Sequence, residues 1–528
     1  MTKNNNKPDI NFEQDLWKAA NELRGAVAEN QYKDYVLSLL FLKYMSEKYE
    51  KRKTEIEGLI EEPESEYYTT DPEEKEFWVT DEDEYKKAGA LVLPEECTWD
   101  YLQSNAEQDD IKIKVDNAFS ILDEKLAEYK PTLKGLLPPL FVKSQLTATQ
   151  TGGMINLFSH KKFSLIENPE SDTFGRIYEY YIGKFAMAEG SGAGQFFTPG
   201  SIVRLLVEML EPYHGRIFDP ACGSGGMFVQ SYKFAKAHGG DKGDISLYGQ
   251  ERYEGTLRLA KMNLLIRNLS FELKLGDSLL DDKFPELKAD YVIANPPFNV
   301  SSWHAEKLPD DDPRLLGPKD GFTTNGNANY MWMQTFWSHL NDNGTAGYVM
   351  ANGAMTTNSK GEKPVRQYLV ENGFVDCIVR LPDKLFMTTG IPAALFFLSK
   401  NRDGNDGKRA RMEEILFIDA SKLGEMATRR LRVFSEEDIA KIADAYHQWR
   451  NTDGNYNDIP GFCKAAKLDE VKQNDYKLTP GIYVGSEAEE DDGIPFEEKM
   501  EGLKVQLKEQ FKKSNELQER IMSNLNDL

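Results

Sequence analysis

The sequence predicts an α/β protein: a doubly wound, mostly parallel sheet with a helical domain before it and a single helix after it. Three observations carry that expectation. Between about residues 170 and 480, short apolar runs ending in Gly, Asp or Asn alternate with helical segments, as in GRIFDPACGSGG, ISLYGQE, LKLGDS, DYVIANPPF, GTAGYVMANG, FVDCIVRLP, AALFFLSK and EILFIDAS. Strand-then-helix alternation of this kind builds open parallel sheets, whose ligands sit at the carboxyl ends of the strands, where those punctuating residues fall. Upstream of it the apolar period is helical, and downstream of it Leu503, Leu507 and Phe511, then Leu517, Ile521 and Leu525, lie four apart.

Taken in order, Phe12, Leu16, Ala20, Leu23 and Val27 recur at helical spacing, and Tyr35–Met45 follows as a largely buried second helix, so that residues 12–50 form two helices. Residues from about 54 to 100 are acidic and interrupted by Pro63, Pro72 and Pro94, a pattern for loops or short helices at a surface. Helical spacing returns over Ile111–Tyr129. The expected organisation is a mainly helical domain over 1–165, a catalytic α/β domain over 166–480 and a tail with an amphipathic helix over 481–528. The first of these shows no recognisable chemistry. The last helix either packs on its own domain or faces a partner, and the second is favoured because nothing folded follows it in this sequence.

A chain of 528 residues suggests about three domains at ~100–200 residues each, and 40% hydrophobic content supports a real core. The start, MTKNNNKPDINFEQD, has no apolar signal region, and no stretch approaches the ~18 apolar residues of a membrane span. Four scattered cysteines without a CxxC pair argue against a zinc site or a disulfide framework. A reducing, cytoplasmic setting, with no metal and no membrane, is the expectation. With 64 Lys and Arg against 87 Asp and Glu, the net charge is −23. A chain gripping duplex DNA by itself should be basic, because phosphate neutralisation supplies most nonspecific affinity. If DNA is the substrate, another subunit must supply much of the grip.

Asp219-Pro-Ala-Cys-Gly223-Ser224-Gly225-Gly226 closes a strand and opens a helix running to about His238. Its glycines let backbone approach a ligand, and the helix N-terminus offers free N–H donors. Such a turn is shared by dinucleotide, flavin and S-adenosylmethionine sites. Glu251, ending the second strand, suits ribose hydroxyls, and Asp277, ending the third, suits an adenine amino group, although a lone acid at a strand end is commonly a helix cap. Asn295-Pro296-Pro297-Phe298 ends the fourth strand. The prolines stop the ladder and stiffen the chain, so the Asn295 side-chain oxygen and the Pro296 carbonyl offer two acceptors to one exocyclic amine. Phe298 can stack on an extruded base.

In this order, Gln195-Phe196-Phe197-Thr198-Pro199, DPACGSGG, GQE, GDS and NPPF resemble the amino-methyltransferases, and more narrowly the modification subunits of type I restriction-modification systems. LWKAANELRGAVAENQYKDYVLSLLFLKYMSEKYE, FGRIYEYYIGKFA, NANYMWMQTF and NDYKLTPGIYV extend the likeness over most of the chain. The resemblance implies a Rossmann-like S-adenosylmethionine-dependent core between an N-terminal α-helical domain and a C-terminal helix. It implies adenine-N6 transfer to double-stranded DNA. It also implies a specificity subunit flanked by two modification subunits, with a restriction subunit in the full enzyme. It assigns Gln195 through Gly200, Gly223 to Gly226 and Glu251 to the cofactor, Asp219 and Asp277 to the support of its pocket, and Asn295 to Phe298 to the base. Read without the family, Thr198 is a helix N-cap with Pro199 at the first helical position.

Cytosine-C5 chemistry needs a nucleophilic cysteine, and NPPF stands where its Pro-Cys loop would be. Cytosine-N4 transfer uses the same two acceptors and stays open on physics alone, as does amino methylation of RNA or protein. An oxidoreductase leaves NPPF unexplained. A decayed scaffold sits poorly with an intact Asn295, Phe298 and glycine turn. The polar segment 300–330 lies where it can close over a flipped base, and no GxxxxGK[ST] occurs for ATP-driven steps.

Overall fold

The computed structural model describes residues 29–160, 173–189, 198–241, 243–386, 392–429, 431–486 and 496–526. The expected helix over Phe12–Val27 and the residues Gln195, Phe196 and Phe197 lie outside them.

Eleven strands are described: β1 Gly215–Asp219, β2 Ile245–Glu251, β3 Phe271–Leu275, β4 Ala289–Ala294, β5 Leu340–Ala351, β6 Val375–Arg380, β7 Ala393–Ser399, β8 Glu414–Asp419, β9 Glu425–Met426, β10 Arg432–Val433 and β11 Cys463–Lys467. Nine form one sheet in the order β11-β8-β6-β7-β5-β4-β1-β2-β3, and β9 and β10 form a separate ribbon. Five of the eight neighbouring pairs are parallel, the exceptions being β11 against β8 and β7 against both its neighbours. The mostly parallel expectation holds, with β7 as an antiparallel insertion. Strand order reverses between β1 and β4, the crevice in which open α/β sheets take ligands.

Helices Gly200–Leu210, Gly226–Ala237 and Glu254–Ile266 pack beside one another along this half of the sheet. The GQE glycine has a packing reason. A Cβ on Gly249 would sit 2.7 Å from Leu273 and 3.0 Å from Phe228, so only glycine lets that helix close on β2.

The amino-terminal region departs from expectation in its boundaries. One helix of 33 residues, Glu29–Glu61, runs through the buried Tyr35–Met45 segment and on past residue 54, where loops or short helices were expected. It stops two residues before Pro63, whose ring disfavours helix in the residue preceding it. Short helices Pro72–Thr80, Glu82–Lys87 and Trp99–Ser104 follow, and Ile111–Tyr129 is helical as expected. The long helix packs on helix Thr173–Glu189 and touches Glu254–Ile266. Its buried apolar residues between Tyr35 and Met45 belong to the same cluster as the sheet, while Ile56 and Ile60 join a separate small cluster with Tyr85 and Ala90.

Helix Phe496–Asn526 carries the expected C-terminal pattern, with Leu507 53% and Phe511 63% exposed. Nothing among the described residues covers those side chains. Among the described residues no helix is long and apolar enough to cross a membrane.

Candidate active site

The turn after β1 is built around left-handed backbone. Gly223 has φ +54° and Gly225 φ +80°, conformations that L side chains rarely adopt. A Cβ on Gly223 would meet nothing within 4 Å, because that position opens into a cleft. Two buried carboxylates brace the turn. Asp219 accepts from the Ala221 N–H at 2.9 Å, while Glu251 accepts from the Gly223 N–H at 3.1 Å and from the Tyr253 N–H at 2.9 Å. Asn263 adds a brace from the next helix, its Nδ2 donating to the Ser224 carbonyl at 2.9 Å. Burial pushes the Asp219 carboxyl up to about 8; the Ala221 amide opposes that shift and the Glu251 charge adds to it. Burial likewise raises Glu251. Cys222, within the turn, is driven well above its ordinary value by burial, which leaves it a thiol and a poor nucleophile.

Across the reversal point, β4 delivers Asn295. Its Nδ2 donates to Thr198 Oγ1 at 2.7 Å, and its Oδ1 is buried with no hydrogen-bond partner among the described residues. Phe298 is buried and meets Phe386 edge-on at 6.2 Å. The chain then turns through Asn299, at φ +55°, which is buckled to the start of helix Asn329–Ser338. The Asn299 N–H donates to Asn329 Oδ1 at 2.9 Å, and Asn299 Oδ1 accepts from Asn329 and Asn327 at 3.0 and 3.1 Å. The 300–330 segment is packed down beside this turn. Trp303 donates to the Thr324 carbonyl at 2.7 Å, and Arg314 pairs with Asp312 at 2.8 Å while donating to the Ser278 and Leu279 carbonyls.

A cavity of about 430 Å³ lies between these walls, within the ~300–1,000 Å³ of small-molecule sites. Gly223, Ser224, Glu251, Asp277, Asn295, Pro297 and Phe298 all line it. An adjoining cavity of about 150 Å³ shares Gly223, Ser224 and Asn295 and adds Thr198, Gly200, Asp219 and Gly226. Pro199, Gly225 and Pro296 line neither cavity. The structure thus brings four separate sequence motifs to one cleft and a fifth, through Thr198, to the cavity adjoining it. An orphaned acceptor and a glycine-lined opening there fit a ligand that carries hydrogen-bond donors.

Two details differ from the bare reading of the residues. Thr198 is not the cap of helix Gly200–Leu210: Pro199 holds the N-cap position, and the Thr198 hydroxyl serves Asn295 instead. Asp277 behaves partly as a local cap, accepting from the Leu279 N–H at 3.1 Å and lying 3.4 Å from Arg252. Sequence reasoning missed the far wall, which is Lys33 and Leu37 of the first long helix, Ile182 and Phe185 of helix Thr173–Glu189, and Trp332. The sequence of these helices does not distinguish the residue that will face a cleft from those that face the core.

Residues 169–492 match the family model described as N-6 DNA Methylase, and residues 12–152 match the HsdM N-terminal domain. The chain is 42% identical over 523 residues, 98% of its length and 91% of the relative's, to the methylase subunit of the type I restriction enzyme MjaIX from Methanocaldococcus jannaschii. It is also 42% identical over 423 residues, 78% of its length and 92% of the relative's, to the HindI methylase subunit from Haemophilus influenzae. Among solved structures, a type I restriction-modification methyltransferase subunit from Streptococcus thermophilus superposes with a TM-score of 0.74 at 24% identity, covering 90% of this chain and 99% of that one. That likeness is one of fold.

Proposed function

The chain belongs to the N-6 DNA methylase family, as a type I restriction-modification methylase subunit, and we propose that its cleft moves a methyl group from S-adenosylmethionine to N6 of an adenine flipped out of duplex DNA. The activity is that of an adenine-specific DNA methyltransferase. The assignment of individual residues rests on the cleft.

The cofactor, when bound, supplies a methyl group on a sulfonium, an electrophile that needs only a lone pair aimed at it. Gln195 to Phe197, Pro199, Gly200 and Ser224 to Gly226 hold the cofactor, while the Thr198 side chain of the same stretch is engaged with Asn295. Glu251 keeps acceptor capacity for ribose hydroxyls beyond its two backbone bonds, and Asp219, Gly223 and Asp277 shape the same pocket. N6 is hidden inside the stack, so the adenine must enter the cleft from a flipped position. There Phe298 offers it an apolar face. Asn295 Oδ1 accepts one amine hydrogen from the cavity wall and, on the reading of the NPPF turn rather than of the cavity lining, the Pro296 carbonyl accepts the other, which aims the nitrogen lone pair and favours the positive charge that builds on nitrogen as it attacks. Burial excludes water from both partners.

The observation that carries this reading is Asn295 Oδ1, an acceptor buried without a partner on the wall shared by both cavities. An unpaired buried acceptor costs ~1–3 kcal/mol, and an incoming amine removes that cost. Asn295→Ala and Phe298→Ala should each lower methyl transfer by at least about a hundredfold while calorimetry finds S-adenosylmethionine affinity near normal. A collapse of cofactor affinity instead would mean the two pockets are wrongly divided.

The acidic chain works in a larger assembly: a specificity subunit reads the DNA, two methylase subunits flank it, and a restriction subunit joins in the full enzyme. The exposed apolar face of helix Phe496–Asn526 supports a subunit contact there.

A further inference from the structure

Asn295 can present its oxygen to an amine only if its nitrogen end is already satisfied. Thr198, 97 residues earlier in the chain, supplies the acceptor at 2.7 Å. It sits on the two-residue approach to helix Gly200–Leu210, and its hydroxyl is spent on no cap of that helix. We infer that Thr198 is a positioning residue for the base: its hydroxyl holds the Asn295 amide so that Oδ1 faces the cleft, and it acts on the transfer step. This rests on the adenine-N6 reading above, and it gives Thr198 a task distinct from contact with the cofactor.

The physics is that of a planar group with two unlike ends. The Asn side chain has two N–H donors and one oxygen with two lone pairs, nearly equal in size. The end that points at the target amine decides whether it meets an acceptor or two clashing donors. A hydroxyl at hydrogen-bond distance fixes the plane and takes up a donor. Valine has the same shape but no acceptor, so in Thr198→Val the part-buried Nδ2 loses its partner. The amide then turns to find another, and Oδ1 leaves the line along which the amine attacks. Misplacements of about an ångström in a reacting geometry cost on the order of a hundredfold in rate. Serine keeps the hydroxyl, so Thr198→Ser should restore it.

The test is single-turnover transfer of tritiated methyl from S-adenosylmethionine to DNA carrying the recognition site. The full chain is assembled with its specificity partner, and cofactor affinity is measured by calorimetry on the same samples. Thr198→Val should slow the transfer step about tenfold to a hundredfold with cofactor affinity within about threefold of wild type, and Thr198→Ser should stay within about threefold of wild type in both. Thr198→Val combined with Asn295→Ala should be no slower than Asn295→Ala alone, since the threonine acts through the asparagine. A Thr198→Val protein as fast as wild type overturns the inference. So does one whose loss lies in cofactor affinity, or one that serine does not rescue. If Asn295→Ala itself transfers normally, the adenine-N6 assignment of the cleft fails and takes the inference with it; a dead Asn295→Ala beside a normal Thr198→Val sinks the inference alone.

Discussion

Burial treats the polar residues of the cleft in two ways. Asn295 Oδ1 stays neutral and waits for a donor, while Asp219 answers desolvation by keeping its proton. An aspartate in the unfolded chain is ionised above about pH 4; folded, Asp219 releases its proton only at about pH 8. Between those values the folded state holds a proton that the unfolded state has lost. Its favourable contribution is therefore complete below the unfolded value and disappears as pH rises through the folded one. The unfolding temperature of the ligand-free chain should fall between pH 6 and pH 9 more steeply than that of Asp219→Asn, whose amide cannot ionise but can still accept from Ala221. Superimposable pH profiles would show that Asp219 is already charged at neutral pH. At this scale the sequence was informative about identity and silent about pairing. DPACGSGG and NPPF announce themselves because glycine and proline mark where a strand must stop. The Thr198–Asn295 bond joins residues with no local signal of each other, and the threonine read locally looks like a helix cap.

At the scale of elements, punctuation and period were read well and length poorly. The strands from β1 to β8 fall on the apolar runs read in the sequence, whereas the helix Glu29–Glu61 outruns its apolar stretch because acidic and basic residues continue a helix until proline forbids it. That β7 runs antiparallel is set by partners in the sheet, which no single segment reveals. The C-terminal helix was legible in its pattern. Its exposed Val505, Leu507, Phe511 and Leu517 have no cover among the described residues, and burying each such side chain is worth ~1.5–3 kcal/mol. Deleting residues from 496 onward should therefore abolish co-elution with the specificity subunit on a sizing column while S-adenosylmethionine affinity stays unchanged. An unaltered complex would move the contact elsewhere.

For the whole molecule, the net charge of −23 bears on how the chain meets DNA. An acidic surface repels the phosphate backbone, so the lone chain should bind duplex DNA more weakly than about 10⁻⁶ M at physiological salt. Site-specific methylation should appear only when the specificity subunit is added. Filter binding and a methylation assay check the two claims, and robust methylation by the isolated chain would contradict the second.

The cleft has one wall from the amino-terminal helices, through Lys33, Leu37, Ile182 and Phe185, and one from the sheet. Any molecule that fills it touches both, and it binds only while both are in place. Cofactor occupancy and the folding of the first third of the chain are therefore thermodynamically linked. At a concentration a hundred times its dissociation constant, the ligand adds about 2.7 kcal/mol against release of those helices from the sheet, so amide hydrogens of Glu29–Glu61 should exchange more slowly when the cleft is full.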